Sequence, residues 1–240
     1  MRTVVLDTET IADRDAMERC GYCEDPDVFA PWPLHQLACA SVLTVAGSAM
    51  TGLTFELRSY SVGKMTERDI VASVERAIEN ADQVLTYNGG AFDIPVLIAR
   101  GVLNGKNVPT LARLASRCRP GLHLDLHQEV KGADGGVKLA HLCAAFAIPA
   151  KIGGRGDRVA DLAADGRWSD IEHYCESDVV ATWLAAQMWD SAENPGFGLE
   201  RWQLLASWLR SRPLDNQKLA AFCEVPSPAP PSLWPVEVRF

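Results

Sequence analysis

Residues 3–6 (TVVL) form an unbroken β-branched and aliphatic run, the pattern of a strand buried on both faces. A polar stretch to residue 33 contains Pro26, Pro31 and Pro33 and predicts a long loop with at most a short helix. Residues 36–46 and 53–57 are strand-like and are separated by a segment bounded by Gly47 and Gly52, which predicts an antiparallel hairpin. Thr66 followed by Asp69 opens a segment to residue 80, with apolar positions at Ile70, Val71, Val74, Ala77 and Ile78. That is the period of an amphipathic helix with its cap. Residues 83–87 read as the next strand, ending at Asn88-Gly89-Gly90, and residues 93–100 as a helix that tolerates Pro95 in its first turn.

Further along, short helices are predicted at 111–117 and 124–130 around a strand near 121–124, then at 138–146 and 158–164, the last two separated by a glycine-rich stretch. Ser169 is a candidate N-cap for a long helix to about residue 189, with Asp170 and Glu172 in its first turn. Residues 199–209 are amphipathic. After Arg212, repeated prolines predict an extended tail. Strand, hairpin, helix, strand, helix and then mostly helix imply an α/β fold, a mixed β-sheet flanked by α-helices. The expected division is a domain over residues 1–190 and, over 191–240, a helix with a proline-rich extended tail.

Composition changes this picture little. With 240 residues, 48% hydrophobic and 22% charged, the chain has the make-up of a soluble globular protein. No apolar run approaches membrane-spanning length and no basic-then-apolar leader opens it. Seven cysteines, an odd number mostly in apolar segments, fit reduced thiols, so the expected location is cytoplasmic. Cys20 and Cys23 form a lone CxxC with no second pair at zinc-finger spacing. The net charge is −8, but residues 100–158 hold ten basic against four acidic residues, leaving thirteen against twenty-seven elsewhere. A basic segment within an acidic chain can meet phosphates while the total stays negative.

Asp7 and Glu9 lie two apart at the expected end of the first strand, so both project to one side of the sheet. Two crowded carboxylates repel and are costly to desolvate unless cations compensate, and carboxylate oxygens suit magnesium or manganese. Taken alone, such a pair is as easily a charged strand end. Asp93 follows a glycine-flanked turn at a strand-to-helix junction, where Phe92 offers a face to pack or stack; a simple helix cap is the alternative. Tyr174 and Asp178 are four apart on the long helix and share a face beside the apolar stripe of Ile171, Val179 and Trp183; a core tyrosine whose hydroxyl Asp178 satisfies is the alternative.

In combination these residues carry more information. LDTET at 6–10, YNGGAFDIP at 87–95 and YCESD at 174–178 stand in that order, roughly 85 residues apart. They resemble the three exonuclease motifs of the DEDD superfamily in its tyrosine variant. The likeness is to stand-alone exonucleases related to the proofreading domain of family-B DNA polymerases. PLHQLACASVL in the second strand and IPAKIGGRGDRV before the long helix fit it too. One position departs: Gly90 stands where relatives often carry a larger or basic residue, which bears on a phosphate contact and leaves the metal set intact.

The resemblance covers about residues 1–190 and implies a ribonuclease-H-like fold and metal-dependent 3′–5′ hydrolysis of terminal phosphodiester bonds in single-stranded DNA or RNA, preferably DNA. It implies that two divalent ions, Mg2+ or Mn2+, about 3.5–4 Å apart, are held by four carboxylates. Asp7, Glu9 and Asp178 would hold the tighter ion, and Asp7 with Asp93 the second. Tyr174 would orient the attacking water, since a phenol, pKa about 10, is a poor base at neutral pH. Thr8, Thr10, Asn88, Gly89 and Phe92 would lie along the bound strand. Arg155 and Arg158, with Lys151, are candidate phosphate contacts. His35 either approaches substrate or serves its strand. His123-Leu-Asp125-Leu-His127 imitates a metal site but reads more simply as polar residues on a helix surface. Two other readings remain open: an exoribonuclease trimming RNA, and a non-catalytic nucleic-acid-binding subunit. The tail after Pro213 either packs on its own domain or docks a polymerase or repair partner.

Overall fold

The structure, a computed structural model, describes residues 1–23, 25, 28–48, 52–116, 121–132, 136–149 and 158–227. Its central strand, β1 (Arg2–Ala12), pairs antiparallel with β2 (His35–Ser48), and β2 pairs antiparallel with β3 (Gly52–Ser61). On its other side β1 runs parallel to β4 (Gln83–Thr86), which runs parallel to β5 (His123–Asp125). The order β3-β2-β1-β4-β5 makes a mixed five-stranded sheet, as the strand pattern and hairpin predict.

Alternation along β1 decides what lies on each face. Val4 and Leu6 are buried in a cluster with Ile70 and Val71 of α2 (Glu67–Ile78), Ile94 and Leu97 of α3 (Asp93–Leu103) and Leu111 of α4 (Pro109–Ala115). Val5 faces the opposite cluster, with Trp183 and Leu184 of α8 (Trp168–Asp190) and Trp202 and Leu205 of α9 (Phe197–Arg210). The sheet is thus covered by helices on both sides, each layer burying one apolar face against it. Shorter helices are α1 (Arg14–Cys20), α5 (Leu126–Val130), α6 (Leu139–Ala145) and α7 (Val159–Ala164). Thr66 caps α2 by accepting the Asp69 N–H, and Pro95 stands in the first turn of α3 without removing a needed donor. No helix among the described residues is long and apolar enough to cross a membrane.

Three expectations are corrected. β1 is longer than its apolar run: residues 7–12 remain strand because β2 supplies their ladder, with a register shift between Glu9 and Thr10. Asp7 and Glu9 therefore lie inside a strand rather than at its end. Residues 14–20 form α1, capped by Asp13, which is the short helix allowed for within the expected loop. Ser169 is not the cap of α8, which begins one residue earlier after Arg167. A Cβ built on Gly63 would come within 2.3 Å of the Trp168 indole, so packing of that side chain draws the helix start back. Finally, residues after Arg212 are not simply extended: Gln217–Cys223 is a 3-10 helix. Leu219 and Phe222, three apart, fall on one side of its three-residue turn and are both buried. The Trp202 indole N–H donates to the Phe222 carbonyl at 2.8 Å, tying this segment to α9. Residues 228–240 lie outside the described set.

Candidate active site

The alternation that sends Val5 toward α8 sends Asp7 and Glu9 the same way, while Thr8 turns toward α3. Opposite the two carboxylates, α8 presents Asp178 one turn after Tyr174. Asp7, Glu9 and Asp178 each offer an oxygen within 4.8 Å of the others. Asp7 is half-buried among them. Loss of hydration, then the charges of Asp93, Asp178 and Glu9, push its carboxyl well above the ordinary carboxylate range. The Cys175 thiol donates to its carbonyl at 3.3 Å and contacts its Oδ2 at 3.5 Å, too little to offset that repulsion. Tyr174 is buried beside Ile171, Cys175, Ala38 and Cys39.

Asp93 lies outside that group of three but acts on Asp7 electrostatically. It is buried at the start of α3, and its Oδ1 accepts both the Thr8 N–H at 2.9 Å and the Thr8 hydroxyl at 2.5 Å. Burial raises its carboxyl to about 6 even with those bonds favouring the charged form. The turn before it is tightly specified. Asn88 is left-handed at φ 63°, a conformation asparagine tolerates. A Cβ on Gly89 would meet Thr86 at 2.6 Å, and one on Gly90 would meet Asp125 Oδ2 at 3.0 Å. The reason is Asp125, whose buried carboxylate accepts the N–H groups of Asn88 at 2.7 Å, Gly90 at 3.0 Å and His127 at 3.2 Å.

A family model described as "Predicted 3'-5' exonuclease related to the exonuclease domain of PolB" matches residues 27–223. The chain belongs to this family. Asp93, Tyr174 and Asp178 fall within the matched residues of the exonuclease family, and Asp7 and Glu9 precede them. No curated protein sequence matches. Among solved structures, the family B DNA polymerase from the hyperthermophilic archaeon Pyrobaculum calidifontis is 17% identical, with a TM-score of 0.53 over 92% of this chain and 27% of that one. E. coli exonuclease I in complex with a dT13 oligonucleotide is 14% identical, with a TM-score of 0.46 over 88% of this chain and 45% of that one. The chain therefore spans about a quarter of the polymerase and under half of exonuclease I. The fold is the ribonuclease-H-like exonuclease fold expected from the motifs.

The other expected site residues are placed unevenly. Both donors of Thr8 engage Asp93, so Thr8 fixes a carboxylate instead of facing a ligand. Thr10 shares its hydroxyl with His35 Nδ1 at 2.9 Å, while His35 Nε2 meets the Ala30 carbonyl at 3.1 Å. His35 is accordingly a buried strut. The Phe92 ring lies 5.2 Å from that imidazole and 5.4 Å from Phe29, which is 73% exposed. Arg158 is exposed ahead of α7. Arg155 and Lys151 fall outside the described residues.

Asp125 has a larger role than its sequence context implies. It stands at the end of β5 and caps α5, not on a helix surface, and its carboxylate shapes the turn that delivers Asp93. Its place directly before a helix marks it as a cap, while its reach to the turn at residues 88–90 is a contact between segments far apart in the chain.

Proposed function

We propose that the chain is a tyrosine-type DEDD 3′–5′ exonuclease that releases nucleotides from the 3′-end of single-stranded nucleic acid, preferably DNA. The observation that carries this reading is the convergence of Asp7, Glu9 and Asp178 within 4.8 Å, beside a buried Asp93 and a helix face bearing Tyr174. The donor set fits hard divalent cations: all four groups offer oxygen, and Asp7 carries uncompensated repulsion that such ions relieve. Asp7, Glu9 and Asp178 would hold one ion and Asp7 with Asp93 a second, magnesium or manganese in each case. When bound, the ions acidify water and neutralise charge on attacking and leaving oxygens.

The protein's own groups do the rest. Tyr174 orients the attacking water through its hydroxyl. Thr8 and the Asp125-anchored turn keep Asp93 in register with Asp7. Asn88, Gly89 and Phe92 bring backbone and an aromatic face close to the strand, with Thr10 at the edge and Arg155 and Arg158 meeting phosphates. Attack at phosphorus breaks the bond to the 3′-oxygen of the penultimate nucleotide, which takes a proton from water and becomes the new 3′-hydroxyl.

The test uses labelled single- and double-stranded oligonucleotides, DNA and RNA in parallel, with magnesium, manganese or chelator. Stepwise shortening from the 3′-end of single-stranded DNA, abolished by chelator and by Asp7→Ala, is expected. Unchanged digestion by Asp7→Ala/Asp178→Ala removes the assignment, and faster RNA trimming replaces the DNA preference.

A further inference from the structure

The 3-10 helix at Gln217–Cys223 brings a cation to the site from a part of the chain that none of the three motifs includes. Lys218 Nζ lies 3.4 Å from the centroid of the Tyr174 ring. Its position is fixed from several directions. The Asn216 side-chain amide donates to the His173 carbonyl and to Glu176 Oε2, both at 2.9 Å, and these residues flank Tyr174 on α8. Asn216 Oδ1 in turn accepts the Lys218 N–H at 3.0 Å. Glu176 is tied to the sheet by the Ser59 hydroxyl at 2.9 Å. Beyond the lysine, Leu219 and Phe222 are buried on the α8 and α9 core.

The charge around that ammonium is specific. Partial burial makes its proton easier to lose than that of a free lysine; Asp170, Asp178 and Glu9 favour its charged form and Arg167 opposes it. A cation on the face of a tyrosine is held by the negative face of the ring, more firmly as water is excluded. Asp178 and Glu9 belong to the carboxylate group, so the ammonium stands within electrostatic reach of the proposed metal ligands while attached to the ring of Tyr174. A phosphodiester entering a site of four carboxylates is repelled by them, and a cation fixed by the protein offsets that repulsion beside whatever bound ions supply.

We propose that Lys218 is a phosphate-binding residue of this site, contacting a non-bridging oxygen near the 3′-end of the bound strand from above Tyr174. The proposal rests on the nuclease reading for the direction of the strand, but the contact is a binding property and is measurable without hydrolysis. It makes residues 216–223 part of the functional unit, beyond the boundary near residue 190 at which the motif likeness ends.

The test is binding of a short 5′-labelled oligothymidylate to the full chain in chelator, followed by fluorescence anisotropy over a range of salt concentrations. Each phosphate neutralised on a single strand contributes about 0.7 to the slope of log affinity against log salt. Lys218→Met, which keeps the apolar stem on the ring, is expected to weaken binding about 3- to 10-fold and flatten the slope by about 0.7. Lys218→Arg is expected to retain the slope. Lys218→Gln serves as a second neutral variant should the methionine change alter the fold, which circular dichroism reads directly. An unchanged slope in the folded neutral variants overturns the proposal, as does a wild-type chain that does not bind the oligonucleotide. A wild-type chain that binds with the expected slope change but releases no nucleotide with magnesium or manganese leaves Lys218 in place and removes the hydrolytic reading. Hydrolysis with an unchanged slope does the reverse.

Discussion

In the absence of metal, Asp93→Asn is expected to make the protein more stable at neutral pH. Burial raises the Asp93 carboxyl from an ordinary 3.8 to about 6. At about 1.36 kcal/mol per tenfold change in protonation constant, that difference corresponds to about 3 kcal/mol for holding the group charged in the folded chain. The sign follows from linkage. Between 3.8 and about 6 the folded state binds the proton that the unfolded state has released, so stability falls as pH rises through that window. The full penalty is present above it and none below pH 4. Asparagine keeps an oxygen for the Thr8 N–H and hydroxyl, but accepts more weakly than a carboxylate, which leaves a net gain of about 1–2 kcal/mol. For a chain of this size that is about 2–8 °C in melting temperature. Thermal melts of both proteins in chelator, near pH 8 and near pH 4, read it out. Magnesium should reverse the order at the higher pH, because a ligand held only by the folded state stabilises it, and more so in the wild type. A variant less stable than wild type in chelator at pH 8, or a gain that persists unchanged at pH 4, refutes the reasoning.

Other consequences concern the groups that hold the site in shape. Asp125→Ala leaves three N–H groups without their acceptor. It should cost about 1–3 kcal/mol and lower nuclease rate at least tenfold, with Asp125→Asn recovering part of both; an unaltered rate rejects its positioning role. Gly89→Ala forces a Cβ to within 2.6 Å of Thr86 and should slow digestion while leaving divalent-ion affinity at Asp7 and Asp178 near wild type; wild-type kinetics would contradict this. Arg100 bridges Asp13 at 2.5 Å and Glu67 at 2.6 Å, with all three side chains at most 15% exposed. Arg100→Met strands both carboxylates and should lower stability by about 3 kcal/mol. Adding Glu67→Gln should restore part of it, and a chemical denaturation curve that shows no loss rejects the account of that link.

The parts of the fold that could be read from the chain are those where local pattern and tertiary packing agree. The hairpin of β2 and β3, the Thr66-capped α2 and the strand-turn-helix leading to Asp93 are of this kind, since their apolar spacing and glycines already satisfy the final structure. β1 extends past its apolar run because the polar residues 7–10 owe their strand conformation to pairing with β2. The start of α8 was misplaced because Trp168 packing outweighs the cap preference of Ser169. The 3-10 helix near the C-terminus was hidden by the surrounding prolines, its burial resting on Leu219, Phe222 and the distant Trp202. For the site, spacing alone put Asp7 with Glu9 and Tyr174 with Asp178. That Thr8 is spent on Asp93, that Asp125 shapes the turn and that Lys218 lies on Tyr174 are contacts between segments far apart in sequence, which no local pattern encodes.

The most direct measurement is a calorimetric titration of manganese into the metal-free protein and into Asp7→Ala/Asp178→Ala. Two binding events in the wild type and none in the double variant are predicted, since Asp7 belongs to both proposed ion sites. A wild type that binds no manganese, or a double variant with an isotherm like that of the wild type, contradicts the metal-centred account.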